Sequence, residues 1–102
     1  MAHGRNKYQS RENRKRVRAV LMEHWDPIGV SGVPEAGDEY DRYADRAYVM
    51  LMDEHASARD LADYLFDIAS NYMGLSDHPR LRVASEHAAK VLVDMKPKFE
   101  LH

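Results

Sequence analysis

The chain contains no cysteine, which excludes disulfides, thiolate metal sites and a Cys nucleophile. No apolar run approaches the roughly 18 residues needed to cross a bilayer. The N-terminus is polar and basic with no apolar core, so no secretory signal is expected. Together with the missing cysteines this predicts a cytoplasmic protein. Sustained period-two alternation is absent, as are Asn-Gly and Asp-Gly turns, so no strand is expected. Also missing are a Gly-rich phosphate loop, a Gly-x-Ser-x-Gly elbow, and the His-Glu-x-x-His and Glu-x-x-His metal motifs. No cofactor is implied. Of four prolines and five glycines in 102 residues, Pro27, Gly29, Gly32, Pro34 and Gly37 crowd into one stretch. The rest of the chain is left nearly free of helix breakers.

What is present is charge, unevenly placed. Residues 1–18 hold seven basic residues and one acid, a net of +6, while the remaining 84 carry a net of −8. A basic arm or helical extension over residues 1–16 therefore precedes an acidic helical domain over residues 17–102.

The spacing predicts an all-α, compact four-helix bundle with a long helix 1–helix 2 loop. The first helix runs to about His24, with Val17, Val20, Leu21 and His24 on one face. Apart from Tyr8, that face has no apolar residue before Val17. Pro27 ends the helix, because its ring disfavours the α conformation for Asp26. Asp38 is the expected N-cap of helix two, whose apolar face reads Tyr40, Tyr43, Ala44, Ala47, Tyr48 and Leu51 and which ends near His55. Ser57, with Asp60 three residues on, starts helix three in a capping-box pattern. Its face continues through Leu61, Tyr64, Leu65, Ile68 and Tyr72 to Leu75, with Gly74 as the C′ residue. Ser76 or Asp77 caps helix four, Pro79 sits in its first turn, and Lys96-Pro97 closes it.

Three clusters are candidates for chemistry. Asp38, Asp41 and Asp45 form an i, i+3, i+7 ladder that could hold a hard cation. Acids in a first helical turn also stabilise the helix dipole, and neighbouring arginines offer ordinary ion pairs, so no metal site is assigned. Arg82 and His87 match the Arg-x4-6-His pattern of the all-helical HEPN ribonucleases. Arg80 with His87 and Arg18 with His24 match it too, and with ten Arg and six His about two such matches arise by chance. The basic arm is the third cluster. It could hold phosphates in a salt-dependent way, lie free as a solvated tail, or dock on an acidic protein or on this protein's own acidic face. Tyr8 is its single aromatic, and the acidic body argues against nucleic acid as the partner.

The stretch "EHWDPIGVSGVPEAGDEYDRY" carries the only Trp. Trp25, at a helix end before a forced turn, is expected to fold over the core, its indole N–H seeking a partner. Asp26 is expected to accept bonds in the turn, and Ile28 and Val30 to plug a gap between helices.

"EHWDPIGV", "PEAGDEYDRY" and "NYMGL" together resemble a small bacterial family of all-helical proteins of unknown function, marked by a Trp-Asp-Pro-Ile-Gly loop and an Asp-Glu-Tyr-Asp helix start. The resemblance spans residues 17–95. It implies that Trp25, Asp26, Pro27, Ile28, Gly29, Asp38, Glu39, Tyr40 and Asp41 occupy the signature positions. Trp25, Asp26, Ile28, Asp38, Glu39, Tyr40 and Asp41 are accordingly the candidate binding residues. Some small bacterial proteins of this type are immunity partners of toxins. The expected function is a non-enzymatic protein-interaction domain, acidic and facing a basic protein partner, with no membrane contact. The alternatives are an RNA-processing enzyme using Arg82 and His87, or a nucleic-acid accessory protein using the arm.

Overall fold

The computed structural model describes residues 7–26 and 37–100. Helix α1 spans Lys7–Val20 and widens into a π-helical turn at Leu21–Trp25. Helix α2 spans Gly37–Met52, and α3 spans Ala58–Asp67 followed by a second π turn at Ile68–Tyr72. Helix α4 spans His78–Phe99. Among the described residues there is no strand. The four-helix expectation holds, and the radius of gyration, 13.4 Å, is that of a packed domain of about 100 residues. Ile28, Val30 and the rest of the inter-helix stretch 27–36, as well as the side chain of Asp38, lie outside the described residues.

The helices form two close pairs, α1 on α2 and α3 on α4, and α1 does not touch α3. The turn Leu21–Trp25 lies against α4 and so ties the pairs together. Val17, Leu21, Leu51, Leu61, Leu65, Ala88 and Leu92 are buried at the shared centre.

Helix α1 is helical from Lys7, ten residues before its apolar face begins. The reason lies in Asn13, which is fully buried. It falls four residues before Val17, on the same face. Its amide donates to Tyr48 Oη at 3.1 Å and its carbonyl accepts from Gln9 at 3.0 Å, which removes the cost of burying it.

Both π turns change the register expected from a plain α-helix. A π turn closes i→i+5 bonds, here Asp26 N–H to Leu21 O and Met73 N–H to Ile68 O, each 2.8 Å, so the residues beyond it slip around the axis. At the first, Trp25 is buried while His24 remains 28% exposed. At the second, Tyr72 leaves the core face and is 71% exposed. Ser70 gives a local cause, since its hydroxyl donates to the Phe66 carbonyl at 2.8 Å. That carbonyl is the one the Ser70 N–H would take in an α-helix.

The capping box at α3 is present as expected. Ser57 Oγ accepts from the Asp60 N–H and the Asp60 carboxylate accepts from the Ser57 N–H, both at 3.1 Å. Gly74, at φ 72°, ends the second π turn. Helix α2 begins at Gly37, so Asp38 sits in the first turn rather than at the N-cap. At its far end α2 stops at Met52, and His55 takes φ 53°.

Helix α4 corrects one expectation: it does not close at Lys96-Pro97 but runs through Pro97 to Phe99. The missing Pro97 N–H removes one helical bond. Phe99, fully buried with its ring 6.0 Å from that of Tyr48, holds the last turn down.

Candidate functional site

Trp25 is 4% exposed. Its indole N–H donates to Ser85 Oγ on α4 at 3.2 Å, and its ring packs 5.5 Å from Tyr40 and 5.9 Å from Tyr43 on α2. One side chain at the end of α1 therefore touches both α2 and α4, which is the plug geometry the turn implied. Tyr40 is 1% exposed, and its hydroxyl donates to Asp26 Oδ1 at 2.9 Å. Asp26 itself stands at φ 21°, ψ 64°, outside the right-handed α region, as a residue before proline should be. The positive φ is less common and mostly tolerated by Asp and Asn. Glu39 is exposed and accepts from the Tyr43 hydroxyl at 2.9 Å.

Burial, then the hydrogen bond and charge of Glu39, push the Tyr43 phenol well above its usual range. Burial likewise pushes Tyr64 up to about 12, against an opposing pull from Arg46.

Of the seven candidate residues, Trp25, Asp26, Glu39 and Tyr40 meet at one end of the bundle, where Tyr40 bonds Asp26, Trp25 bonds Ser85 and Tyr43 bonds Glu39. Asp41 faces elsewhere. It lies 2.5 Å from Arg18 Nε, an ionic contact without hydrogen-bond alignment. Asp45 pairs with Arg14 Nε at 3.2 Å. Two acids of the predicted ladder are thus paired with Arg14 and Arg18 of α1. Among the described residues no group of three or more His, Asp or Glu is placed to hold a metal ion.

Arg82 and His87 do not converge. Five positions apart on one helix, they point about 140° from each other around its axis. Arg82 bonds Asp63 Oδ1 at 2.8 Å and lies 4.4 Å over the Phe66 ring. The His87 ring instead meets His24 at 4.8 Å, edge to face.

Ser85 and Asn13 do not stand out in the sequence, because each is a polar residue set in an otherwise apolar row. The signal was their spacing: Ser85 continues the row Leu81, Ala88, Leu92, and Asn13 continues the row Val17, Val20.

Beside Trp25 lies an open cavity of about 430 Å³. Its walls come from the end of the first π turn (His24, Trp25, Asp26), the α3–α4 connection (Leu75, Asp77) and the first turns of α4. Asp77 precedes α4 but its side chain makes no capping bond.

Compared with family models, curated proteins and solved structures, the chain matches none of them.

Proposed function

We propose that this protein is a non-catalytic interaction domain whose acidic side recognises a basic surface on a protein partner, in the manner of an inhibitor or immunity-type protein. The supporting observation is the separation of charge across the bundle. Helix α1 carries six basic residues and one acid and lies against α2. Between Asp53 and Asp67 there are five acids against one base, Arg59, a net of −4. That segment includes α3, which α1 does not touch.

Asp60, Asp63 and Asp67 are all exposed and share one face of α3 over about 10 Å. Each has one oxygen engaged within the fold, by the Ser57 N–H, Arg82 and Asn71 respectively. The carboxylates are therefore held in place before a partner arrives, which lowers the ordering cost of binding. Such a face also steers a cationic partner at low ionic strength. The resemblance to the Trp-Asp-Pro-Ile-Gly family and a cytoplasmic location belong to the same reading. Among the described residues no helix is long and apolar enough to cross a membrane.

The test is capture of partners by tagged protein from its own host, beside an Asp63→Lys/Asp67→Lys variant. A basic partner that is captured by the natural chain and lost in the variant, or at raised salt, is the expected result. Equal capture by both chains would sink the reading. Purified protein is also expected to leave single-stranded RNA intact. Cleavage abolished in both Arg82→Ala and His87→Ala would overturn the non-catalytic assignment.

A further inference from the structure

We infer that the cavity beside Trp25 receives a basic side chain: an alkyl stem ending in an ammonium group, such as a lysine presented by the partner. This rests on the proposed basic partner and adds a second, separate contact point to it.

The cavity has the two surfaces such a group needs. Leu75 and Leu81 supply an apolar wall, against which a lysine's methylenes can lie while its head stays polar. Asp26 and Asp77 supply carboxylates, and Arg80 is the single opposing Arg or Lys among the lining residues. Of the Asp, Glu, Arg and Lys side chains that line it, two are acidic and one is basic. The Tyr40 hydroxyl on Asp26 Oδ1 fixes that carboxylate, and an ammonium gains from a preset acceptor. At about 430 Å³ the cavity lies within the range of small-ligand sites and has ample room for an extended lysine side chain.

An anionic ligand would gain from Arg80 but face both carboxylates, and a purely apolar one would leave the polar wall unused. The ammonium on an alkyl stem fits both walls.

The only Trp of the chain borders this cavity, so its fluorescence reads occupancy directly. The experiment titrates the full chain with n-butylammonium at constant ionic strength, beside n-butanol and butyrate as controls for stem and charge. A saturable change in Trp25 emission with butylammonium alone is expected. Asp77→Asn should weaken binding about threefold or more, and Arg80→Ala should tighten it, because the first removes an attractive charge and the second a repulsive one. No saturable response overturns the inference. So does an equal response to butanol, or insensitivity to both substitutions.

The two readings fail separately. A butylammonium response that survives in Asp63→Lys/Asp67→Lys, with no partner captured, sinks the α3 surface and leaves the cavity. Partner capture that is unchanged in Asp77→Asn, with no amine response, does the reverse.

Discussion

Ser85 carries more structural weight than its size suggests. It is fully buried in the middle of α4, and the Trp25 indole bonds to it from the end of α1. Ser85→Ala should cost about 1–3 kcal/mol in chemical denaturation, because the indole N–H stays buried without a partner. Trp25→Ala removes the ring that joins the end of α1 to α2 and α4 and should cost about 3–5 kcal/mol. A loss below about 1 kcal/mol for Trp25→Ala would contradict the buried plug. His55 is the opposite case, an exposed residue in a left-handed conformation, φ 53°, whose Nδ1 lies 3.2 Å from Lys96 Nζ. Gly74 plays the matching part after the second π turn. An L-residue pays about 1–2 kcal/mol there and glycine loses about 0.5–1 through its freer unfolded chain. His55→Gly should therefore raise stability by a few tenths to about 1 kcal/mol, read as a higher denaturation midpoint with an unchanged slope.

At the level of elements, α4 contacts every other helix and keeps a proline inside its last turn. Proline near a helix end normally stops it, and here the last turn persists because Phe99 reaches the buried ring of Tyr48. Phe99→Ala should cost about 3–5 kcal/mol and release the turn after Pro97. Amide hydrogen exchange should then show Phe99 and Glu100 losing protection, while the α4 residues before Lys96 keep theirs. Loss of protection along all of α4 would mean that Phe99 anchors the whole helix rather than its end. Helix α1 illustrates a second point. Along its polar length Asn13 is bonded in the interior, and Arg14 and Arg18 pair with acids of α2. Both pairs are half exposed and worth at most about 1 kcal/mol each, so the buried amide and the apolar face, not the ion pairs, keep α1 in place.

For the whole molecule, two consequences follow from burial and charge. Tyr43 and Tyr64 both have phenols pushed upward, chiefly by burial. In the unfolded chain they ionise near pH 10. The unfolded state therefore loses protons first as pH rises, and stability falls with pH. The contribution is complete below about pH 10 and is lost as pH rises toward about 12, where Tyr64 ionises in the folded chain. Denaturation midpoints should decline over that window, and the decline should be shallower in Tyr64→Phe. A midpoint independent of pH there would contradict the burial of these rings. The charge separation adds a sensitivity to salt. Association with the proposed basic partner should slow as ionic strength rises, while the stability of the isolated domain changes little, since the described ion pairs between helices are about half exposed.

Much of this architecture was legible in residue order alone. Ser57 with Asp60 announced a capping box, Gly74 a left-handed helix end, and Pro79 a first turn. These are local effects, decided by the bonds a few adjacent residues can make. The apolar spacing of α2 was legible for the same reason, as was the burial of a Trp set before a forced turn. Which groups would meet was not legible. That Trp25 finds Ser85 sixty residues away, that Asn13 finds Tyr48, and that Arg82 turns to Asp63 while His87 turns to His24 depend on how helices pack. The two π turns decided which side of each helix faces inward, exposing Tyr72 where plain periodicity buried it. Pro97 was overruled by Phe99 for the same reason: a local bond lost in the last turn is outweighed by a ring buried against another helix, and only the tertiary structure holds both.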